Sequence, residues 1–478
     1  MIYITALTLL IIGGFYMTKA EQFFNDIKNK KIAFIGTGVS HNDLIKMFLS
    51  KGLNVTVCDK KNKEQLGEIA DIFVEMGAKL SLGENYLDEI FNCDVVFRTP
   101  GMYYNNPILT KARKKGIAVT SEMEVFFDLC PCKIYGVTGS DGKTTTTTLI
   151  SEFLQGEGKT VHKGGNIGRA LLPVIESIKP DDCAVVELSS FQLISMRKSP
   201  DVAVITNISP NHLDVHGTME EYIDSKKNLI LHQNAFSKTV LNLDNDETNK
   251  LSDLVRGSLI KFSRKSIPEY GAFLDDQGRL CFNDYGKTDI IVHMDDIRIR
   301  GIHNTENYLT AISAVYGEVS KYTIVNVAKN FNGVEHRIEF VREIDGVKYY
   351  NDSIATSPTR VIAGLNSFNQ KLIVIAGGYD KKIPYEPLGE PVNNNVKLLI
   401  LLGATADKIE KAVKDYPGYS EDTCRIIRVS TLEEAVECAK KNAVSGDIVT
   451  LSPASASFDL YRNFEERGHH FKRIVNLL

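Results

Sequence analysis

The sequence lacks the basic excess that is typical of proteins built to hold nucleic acid. Its 56 lysines and arginines stand against 60 aspartates and glutamates, which gives a formal net charge of -4 at pH 7. Wholesale binding of nucleic acid usually needs a basic face, so any basic site in this chain must be local. No nucleic-acid partner is therefore expected.

The sequence also lacks paired cysteines. None of its 8 cysteines forms a CxxC pair, and the closest two, in Cys130-Pro131-Cys132, have the wrong spacing for a zinc knuckle. Scattered cysteines in a chain this long are expected to be reduced, partly buried thiols. That pattern is typical of a cytoplasmic protein.

A long apolar run is missing as well. Residues 2–17 carry no charge, in the run IYITALTLLIIGGFYM, but they lack the basic start of a signal peptide. They also fall short of the roughly 20 apolar residues that a membrane span needs. The run is either a marginal anchor or upstream sequence read from a wrong start, with Met17 as the true initiator. We favour the second interpretation because the first structured segment follows soon after Lys19, and we expect no firm membrane association.

What the sequence does contain is a long alternation of strand and helix signals. A chain of 478 residues is too long for one core and suits two to four domains, and its 43% hydrophobic and 24% charged residues are ordinary for a globular protein. Short apolar runs separated by helical segments predict parallel sheets with ligands at the carboxyl ends of the strands. The runs that predict strands begin at Lys31, Asn54, Cys93, Ile134, Cys183, Val202, Leu372, Leu399 and Ile448.

The first of these strands ends in a glycine turn, Gly36-Thr37-Gly38. This is not the full dinucleotide fingerprint GxGxxG, but it leaves free backbone N–H groups at a helix start, which suit a phosphate. Asp59 closes the next strand, where a carboxylate can reach a ribose or a base. An ordinary strand-to-helix turn stays open as the alternative.

The strongest local signal is a phosphate loop from Thr138 to Thr144, which follows a strand and opens a threonine-rich helix. Its glycines let the backbone wrap around phosphate oxygens, and the helix N-terminus adds its positive dipole. Lys143 can neutralise the phosphates and the Thr144 hydroxyl can bind Mg²⁺. The strict pattern GxxxxGK[ST] fails because Val137 stands at its first glycine. The segment predicts an ATP site, but it does not choose between a switch, a motor, a kinase and a ligase.

The predicted fold class is α/β, with a Rossmann-like N-terminal domain, a P-loop ATPase-like central domain and a Rossmann-like C-terminal domain in series. An apolar N-terminal extension precedes them. The expected boundaries are 1–17 for the extension and 18–132, 133–335 and 336–478 for the three domains.

Several motifs resemble, in one order, those of the Mur ligase family, which also includes folylpolyglutamate synthases. In that family the nucleotide loop begins with Thr-Gly, as it does here at Thr138-Gly139, so the departure at Val137 agrees with the resemblance. The other matching motifs are Gly164-Gly165-Asn166-Ile167-Gly168 (a turn that contacts substrate), Glu187-Leu188-Ser189-Ser190 (a metal-binding strand end), the segment 207–214 (a histidine for a second metal), His303-Asn304 with Asn307 (adenine binding) and His336-Arg337 (a hinge into the last domain).

Motifs near the C-terminus are similar to those of the D-glutamate-adding member of the family. They are Asn351-Asp352-Ser353 with Ala355-Thr356, the segment 451–459, and Asn463-Phe464. The match covers nearly the whole chain from about Lys31, and the DNPR-type segment of the diaminopimelate- or lysine-adding member is missing. One departure concerns Ile354, which stands where lysine is frequent in the family. Either a neighbouring cation replaces that charge, or the lysine serves structure rather than chemistry.

The resemblance implies a ligase that adds D-glutamate to UDP-N-acetylmuramoyl-L-alanine in cytoplasmic peptidoglycan precursor synthesis. ATP would first phosphorylate the substrate carboxylate to an acyl phosphate, and the amine of D-glutamate would then displace phosphate. Anionic ATP must approach an anionic carboxylate, so cations are needed. The resemblance implies two Mg²⁺ sites besides ATP, and a monomer is expected.

The resemblance also assigns candidate residues to each part of the site. The expected catalytic residues are Lys143, Glu187, His212 and Lys226. The expected ATP-binding residues are Thr138, Gly139, Ser140, Asp141, Gly142, Lys143, Thr144, Thr145, Asn304, Asn307, Arg337 and Asp352. The expected metal ligands are Thr144 and Glu187 for one Mg²⁺ and His212 for the second, with Lys226 if its amine carries a carbamate. The expected substrate-binding residues are Thr37, Ser40, Asp59, Thr99 and Asn166 for the UDP substrate, and Thr356, Lys381 (or Lys382), Ser457 and Phe464 for D-glutamate.

Without the resemblance, several of these residues have ordinary explanations. Lys226 would be a solvated helix lysine, His212 a satisfied surface or core histidine, and Asp352 a turn aspartate. His336-Arg337 would be a cation pair at a helix end. Asp141, where many relatives carry asparagine, is tolerable because the backbone would bind most of the phosphate.

Three rival functions are open at this stage. A sister ligase, such as a folylpolyglutamate synthase or another muramyl ligase, is the first; the N-terminal Rossmann-like domain argues against the folate enzyme, whose chain begins near its phosphate loop. A non-catalytic nucleotide-binding regulator is the second, and it would need no two-metal arrangement. A nicotinamide-dependent oxidoreductase is the third, but the incomplete fingerprint at Gly36 and the second nucleotide loop count against it.

Overall fold

The computed structural model describes residues 17–210, 213–299, 301–380 and 383–478, without the side chains of residues 39, 40, 213 and 214. The expected apolar extension therefore lies outside the described residues, apart from Met17. The chain forms two compact units. Unit 1 comprises Met1–Asp296 and His303–Val327, and unit 2 comprises Ile297–Ile302 and Ala328–Leu478.

Unit 1 begins with a five-stranded parallel sheet. Its strands are β1 (Lys31–Ile35), β2 (Asn54–Asp59), β3 (Lys79–Leu82), β4 (Val95–Phe97) and β5 (Ala118–Thr120). They lie in the order β3-β2-β1-β4-β5. From β1 the chain proceeds to β2 and β3 on one side of the sheet, and β4 and β5 lie on the other side. Open α/β sheets form a ligand crevice at such a switch point, which here lies between β1 and β4.

A second parallel sheet follows in the same unit. Its strands are β6 (Lys133–Thr138), β7 (Val161–Gly165), β8 (Cys183–Glu187), β9 (Val202–Ile205), β10 (Lys238–Asn242) and β11 (Ser258–Phe262). They lie in the order β11-β10-β9-β6-β8-β7, so β6 pairs with both β8 and β9. A small antiparallel sheet adjoins it, formed by β12 (Tyr270–Leu274), β13 (Arg279–Asp284) and β14 (Lys287–His293).

Unit 2 is built on one mixed sheet. Its strands are β15 (Glu339–Ile344), β16 (Val347–Asn351), β17 (Leu372–Gly377), β18 (Val396–Leu402), β19 (Arg425–Arg428) and β20 (Ile448–Leu451). The order is β15-β16-β20-β17-β18-β19, and only the β15–β16 pair is antiparallel. All six residues of β17 are buried, as expected for a parallel strand covered on both faces. The α/β class predicted from the sequence is confirmed.

The helices fill the connections between these strands. In unit 1 they are α1 (Lys19–Asp26), α2 (Val39–Ser50), α3 (Lys63–Leu66), α4 (Glu68–Glu75), α5 (Pro107–Lys114), α6 (Glu122–Leu129), α7 (Lys143–Gly156), α8 (Ser190–Leu193), α9 (Leu213–His216), α10 (Met219–Leu231), α11 (Asp246–Asn249) and most of α12 (Ile302–Val315) and α13 (Lys321–Asn330). In unit 2 they are α14 (Pro358–Leu365), α15 (Gly389–Asn395), α16 (Ala406–Lys414), α17 (Leu432–Asn442) and α18 (Phe464–Leu477). Short 3₁₀ helices cover Asp88–Asn92, Leu172–Ser177, Lys250–Leu254, Met294–Asp296 and Glu386–Leu388.

Capping side chains fix where several of these helices begin. The Thr218 hydroxyl accepts the N–H of Glu221 and starts α10, and the side-chain Oδ1 of Asn463 accepts the N–H of Glu466 and starts α18. Each such cap satisfies a backbone donor that the first helical turn leaves without an acceptor. Within the part of the chain that the structure describes, every helix is too short or too polar to span a bilayer.

Two buried polar side chains join the first two sheets of unit 1. The Glu122 carboxylate, 5% exposed, accepts the N–H groups of Leu171 and Leu172 at 2.9 and 2.8 Å. The Arg98 guanidinium, 1% exposed, donates to the carbonyl of Phe191 at 3.0 Å and to the hydroxyl of Ser195. Both links join a segment that follows a strand of the first sheet to a segment that connects strands of the second sheet.

The Glu122 contact predicts a pH dependence of stability. Burial raises the pKa of Glu122 from 4.5 to about 7, against the two N–H bonds that lower it. Between pH 4.5 and 7 the unfolded chain has lost this proton while the folded chain keeps it, so the contribution of Glu122 to stability falls as pH rises through this window. Glu122→Gln keeps an acceptor oxygen and cannot titrate. Its free energy of unfolding should therefore gain about 3 kcal/mol on the parent between pH 4.5 and 7.5.

Denaturant unfolding of the parent and of Glu122→Gln at a series of pH values measures this difference directly. Other titrating groups are common to both proteins and cancel. Parallel curves across the whole range would contradict the assignment of a buried, protonated Glu122.

Candidate active site

The phosphate loop leaves β6 at Thr138 and enters α7 at Lys143. Gly142 is the residue before the helix, with a φ of 77°, and it has no side-chain cap. A Cβ on Gly142 would lie 2.4 Å from Asn307 Oδ1, so any other residue here would displace the Asn307 side chain. The uncapped first turn of α7, which includes Thr144 and Thr145, presents its backbone N–H groups as an anion site.

Asn207, at the end of the neighbouring strand β9, holds the loop in place. Its carbonyl accepts the N–H of Ser140, and its Oδ1 accepts the N–H of Asp141, both at 2.9 Å. The hydroxyl of Thr206 donates to the Asp141 carbonyl at 2.6 Å. These two amides are thus used within the protein, which leaves the first turn of α7 to face a phosphate. Asn207 begins the segment 207–214, but the sequence indicated no role for it. Its position just after a strand was the one feature that could have indicated this role.

Two lysines converge on the loop. The ammonium of Lys143 donates to the carbonyls of Gly139 and Ser140 at 3.0 and 2.8 Å. The amine of Lys226, on α10 and 1% exposed, donates to the Gly139 carbonyl at 2.9 Å and to the Thr138 hydroxyl at 3.2 Å. Burial holds the pKa of Lys226 well below its ordinary value, and the charge of Lys143 lowers it further. Lys226 is therefore not the solvated helix lysine of the ordinary explanation.

A buried carboxylate lies beside the loop at the end of β8. Glu187, 2% exposed, accepts the hydroxyl of Thr144 on one oxygen at 2.7 Å and the amide of Asn166 on the other at 2.9 Å. The structure thus brings together three predicted residues from three separate motifs. Hydroxyl and carboxylate oxygens are the ligands that Mg²⁺ prefers, so this donor set fits the metal. His212, the residue predicted to bind the second Mg²⁺, lies outside the described residues.

The predicted adenine-binding residues lie at the start of α12, next to the loop. Asn307 is 7% exposed and its Oδ1 accepts the hydroxyl of Thr146, on α7, at 3.4 Å. Its amide donates to Asn304 Oδ1 at 3.2 Å. These contacts place Asn304 and Asn307 beside the phosphate loop.

The Ser140 side chain is directed into the protein. Its hydroxyl donates to the Ser209 carbonyl at 2.9 Å and contacts the Tyr222 hydroxyl at 3.1 Å. Ser140 is only 5% exposed. The Ser140 side chain therefore anchors the loop to the protein interior through Ser209 and Tyr222. The sequence had indicated no role for Tyr222.

The residues predicted for the uridine end lie at the switch point of the first sheet. The carboxylate of Asp59 accepts the N–H and the hydroxyl of Thr37 at 2.9 and 2.8 Å, and the N–H of Lys61 at 2.9 Å. Thr99 follows β4 and lies beside Gly36, whose φ is 84°. Thr37, Asp59 and Thr99 thus share one edge, whereas the side chain of Ser40 lies outside those described.

In unit 2, Asp352 follows β16 and is 4% exposed. Its carboxylate accepts the hydroxyl of Ser452 at 3.0 Å and the N–H of Ile338 at 3.2 Å. Burial raises the pKa of Asp352 to about 7, although the charges of Arg337 and Arg360 act to lower it. The charge of Arg337 thus acts on the Asp352 carboxyl. Both were predicted to bind ATP, and that role stays a prediction.

A buried arginine links the segments of unit 2 in which several of the residues predicted for D-glutamate lie. Arg467, 4% exposed, donates to the hydroxyl and carbonyl of Ser353 at 3.1 and 3.0 Å and to the carbonyls of Ser455 and Ala456 at 3.1 Å. The Ser353 hydroxyl in turn donates to the Phe464 carbonyl at 2.7 Å. Arg467 therefore links the segments that carry the candidates. Sequence reasoning did not find it, since a helix arginine gives no local signal of burial.

Two of the predicted D-glutamate residues, Ser457 and Thr356, are near in sequence to residues that Arg467 contacts. Ser457 is 2% exposed, and its carbonyl accepts the N–H groups of Leu460 and Tyr461. Thr356 lies in the loop before α14, and its N–H donates to the Ile354 carbonyl at 2.8 Å. Lys381 and its alternative Lys382 lie outside the described residues.

Three family models match the chain in series. They are the Mur ligase MurD-like N-terminal domain at residues 30–121, the Mur ligase middle domain at 137–315 and the glutamate ligase domain of Mur ligases at 336–455. Together they cover well over half of the sequence. Their order agrees with the three α/β domains expected from the sequence.

Curated relatives match over nearly their full length. The chain is 53% identical to the UDP-N-acetylmuramoylalanine–D-glutamate ligase of Acetivibrio thermocellus over 463 residues, 96% of this chain and 99% of that protein. It is 50% identical to the ligase of the same name in Clostridium acetobutylicum over 459 residues, again 96% of this chain and 99% of that protein.

Solved structures agree on the fold. The UDP-N-acetylmuramate-alanine ligase of Thermotoga maritima superposes with a TM-score of 0.56 at 16% identity, covering 94% of this chain and 99% of the other. A ligase from Acinetobacter baumannii that acts on UDP-N-acetylmuramoylalanyl-D-glutamyl-2,6-diaminopimelate gives 0.52 at 13% identity, over 75% and 81% of the two chains. The three family models and the near full-length relatives show that the chain belongs to the Mur ligase family.

Proposed function

We propose that the chain is an ATP-dependent ligase that joins D-glutamate to UDP-N-acetylmuramoyl-L-alanine, a step of peptidoglycan precursor synthesis. The observation that carries this proposal is identity of about one half, over nearly the whole chain, to proteins named for that activity. Identity of this extent includes unit 2, where the candidates for the amino-acid site lie. Recognition of the acceptor therefore falls within the part of the sequence that the match covers.

In the proposed site, the first turn of α7 and Lys143 bind the phosphates of ATP, and Asn304 and Asn307 bind its adenine. Phosphoryl transfer from ATP to the L-alanyl carboxylate gives an acyl phosphate, which the amine of D-glutamate attacks with loss of phosphate. The protein neutralises the approach of two anions, and this charge stabilisation is the main source of catalysis in phosphoryl transfer.

We propose two magnesium sites. Thr144 and Glu187 supply oxygen ligands to the first, which the 2.7 Å contact between them supports. Lys226 as a carbamate, with His212, supplies the second. A carbamate forms when a neutral amine adds to carbon dioxide and releases a proton, and the lowered pKa of Lys226 favours that neutral form. Bound Mg²⁺ would supply charge neutralisation at the phosphate oxygens.

The substrates are assigned to the remaining candidates. Thr37, Ser40, Asp59 and Thr99 are proposed for the UDP moiety, with Asn166 on the sugar side. Thr356, Lys381, Ser457 and Phe464 are proposed for D-glutamate, and Arg337 with Asp352 for ATP. The functional boundaries follow as 18–132 for UDP-substrate binding, 133–335 for ATP and 336–478 for the amino acid, with an extension at 1–17.

Turnover with defined acceptors tests this function. Purified protein, given ATP, Mg²⁺ and UDP-N-acetylmuramoyl-L-alanine, should release ADP with D-glutamate and not with L-glutamate, L-lysine or meso-diaminopimelate. Turnover with a different acceptor would keep the family and overturn the choice of amino acid. Absence of turnover with all four would favour a nucleotide-binding regulator instead.

The close approach at Gly142 predicts that nucleotide binding is sensitive to a single methyl group. Gly142→Ala places a Cβ 2.4 Å from Asn307 Oδ1 at a φ of 77°, whereas Gly158→Ala meets nothing within 4 Å at a φ of 86°. Both variants should lose about 1–2 kcal/mol of stability, because both force alanine into the left-handed region. Only Gly142→Ala should also lose ATP affinity, by at least about tenfold.

Calorimetric titration of ATP into the two variants and the parent separates backbone strain from the effect on the loop. Equal ATP affinity in the Gly142 and Gly158 variants would contradict the assignment of this loop as the nucleotide site.

A further inference from the structure

In unit 2, the segment from Asp352 to Ile354 is hydrogen-bonded to a strained loop at residues 336–338. The N–H of Ile354 donates to the His336 carbonyl at 3.1 Å, and the N–H of Ile338 donates to Asp352 Oδ1 at 3.2 Å. Arg337 lies between these two contacts. His336 and Ile338 adopt φ values of 63° and 44°, which residues other than glycine rarely do. The surroundings therefore fix the backbone on both sides of Arg337.

A second arginine reaches the same segment from α14. Arg360 Nη1 donates to the Ile354 carbonyl at 3.1 Å. Arg360 is the third residue of α14, where a positive charge opposes the helix dipole. The stability of α14 thus does not explain an arginine at this position.

Both arginines lack an acidic partner of their own among the described residues, and the charges of both act on the Asp352 carboxyl. Among the described residues, neither Arg337 nor Arg360 forms an ion pair with a carboxylate, and the one hydrogen bond of the Arg360 side chain goes to a carbonyl. Arg360 is exposed at the start of α14. Partial burial of its guanidinium still lowers its pKa, and the charge of Arg337 lowers it further. The nearby carboxyl of Asp352 is buried and occupied by its own hydrogen bonds. Two guanidinium groups that lack a carboxylate partner favour an oxyanion from solution.

We propose that Arg360 binds substrate in the ligase reaction, forming with Arg337 a two-arginine receptor for a substrate oxyanion. Arg360 thereby places a positive charge beside Ile354, at the position where lysine is frequent in the family. The oxyanion is a phosphoryl oxygen of ATP or a carboxylate oxygen of D-glutamate, because guanidinium binds both. This inference rests on the proposed ligase function.

Four variants test the role of Arg360. Arg360→Gln removes the positive charge and Arg360→Lys keeps it. The double variant Ile354→Lys with Arg360→Gln restores a positive charge at position 354, the residue whose carbonyl Arg360 contacts. Arg425→Gln is the control: it removes an exposed charge from the start of β19, where the Arg425 side chain bonds only Asn442 among the described residues. For each variant, kcat and the KM values for ATP and D-glutamate are measured, and thermal unfolding confirms the fold.

Arg360→Gln should raise one KM by at least about tenfold, the loss expected for a charge-assisted hydrogen bond. Arg425→Gln should leave both unchanged. A rise for ATP identifies a phosphoryl ligand, and a rise for D-glutamate identifies a carboxylate. The lysine-containing double variant should recover a large part of the loss, which a purely structural role of Arg360 would not allow.

The proposal is overturned if both KM values of Arg360→Gln equal those of the parent, or if a loss is recovered neither by Arg360→Lys nor by the double variant. The parent protein in the same assay separates the two claims. An inactive parent contradicts the ligase function itself, whereas an active parent with an unchanged Arg360→Gln contradicts only the role of Arg360.

Discussion

The candidate site of unit 1 depends on one buried carboxylate, Glu187, at the carboxyl edge of the second sheet. Because β6 pairs with β8 on one side and β9 on the other, Glu187 and Asn207 necessarily flank the phosphate loop. Glu187 fixes the Thr144 hydroxyl, and Asn207 fixes the amides of the loop. Sheet order thus converts three distant motifs into one arrangement of oxygen donors beside an anion-binding helix start.

Charge balance explains the rest of the site. The loop attracts phosphate through α7 and Lys143, so a second buried ammonium at Lys226 would repel Lys143 at close range. Burial favours the neutral amine of Lys226 instead, a form that can become an anionic oxygen ligand. Unit 2 also carries an excess of positive charge near its buried acid, because Arg337 and Arg360 face only the Asp352 carboxyl. Each unit therefore offers cations at the segments proposed to hold an anionic substrate.

Much of this could be predicted from the sequence, and the rest has a physical reason for being hidden. Strand runs such as Leu372–Gly377 are continuous and apolar, and the loop at Thr138 has glycines at fixed spacing, so local pattern was enough. Arg467 and Glu122 gave no such signal, because a charged residue on a helix is usually solvated. Their roles arise from tertiary partners far along the chain. The charge missing at Ile354 was visible in the sequence, but a neighbouring cation could be found only from the contact of Arg360 with the Ile354 carbonyl.

Isotope transfer tests whether the substrate carboxylate is activated by phosphorylation. UDP-N-acetylmuramoyl-L-alanine labelled with ¹⁸O in its carboxylate is turned over with ATP and D-glutamate, and the released phosphate is examined by mass spectrometry. An acyl phosphate requires one labelled oxygen in each phosphate, because the carboxylate oxygen leaves with phosphorus. Unlabelled phosphate accompanying ligation would contradict the account.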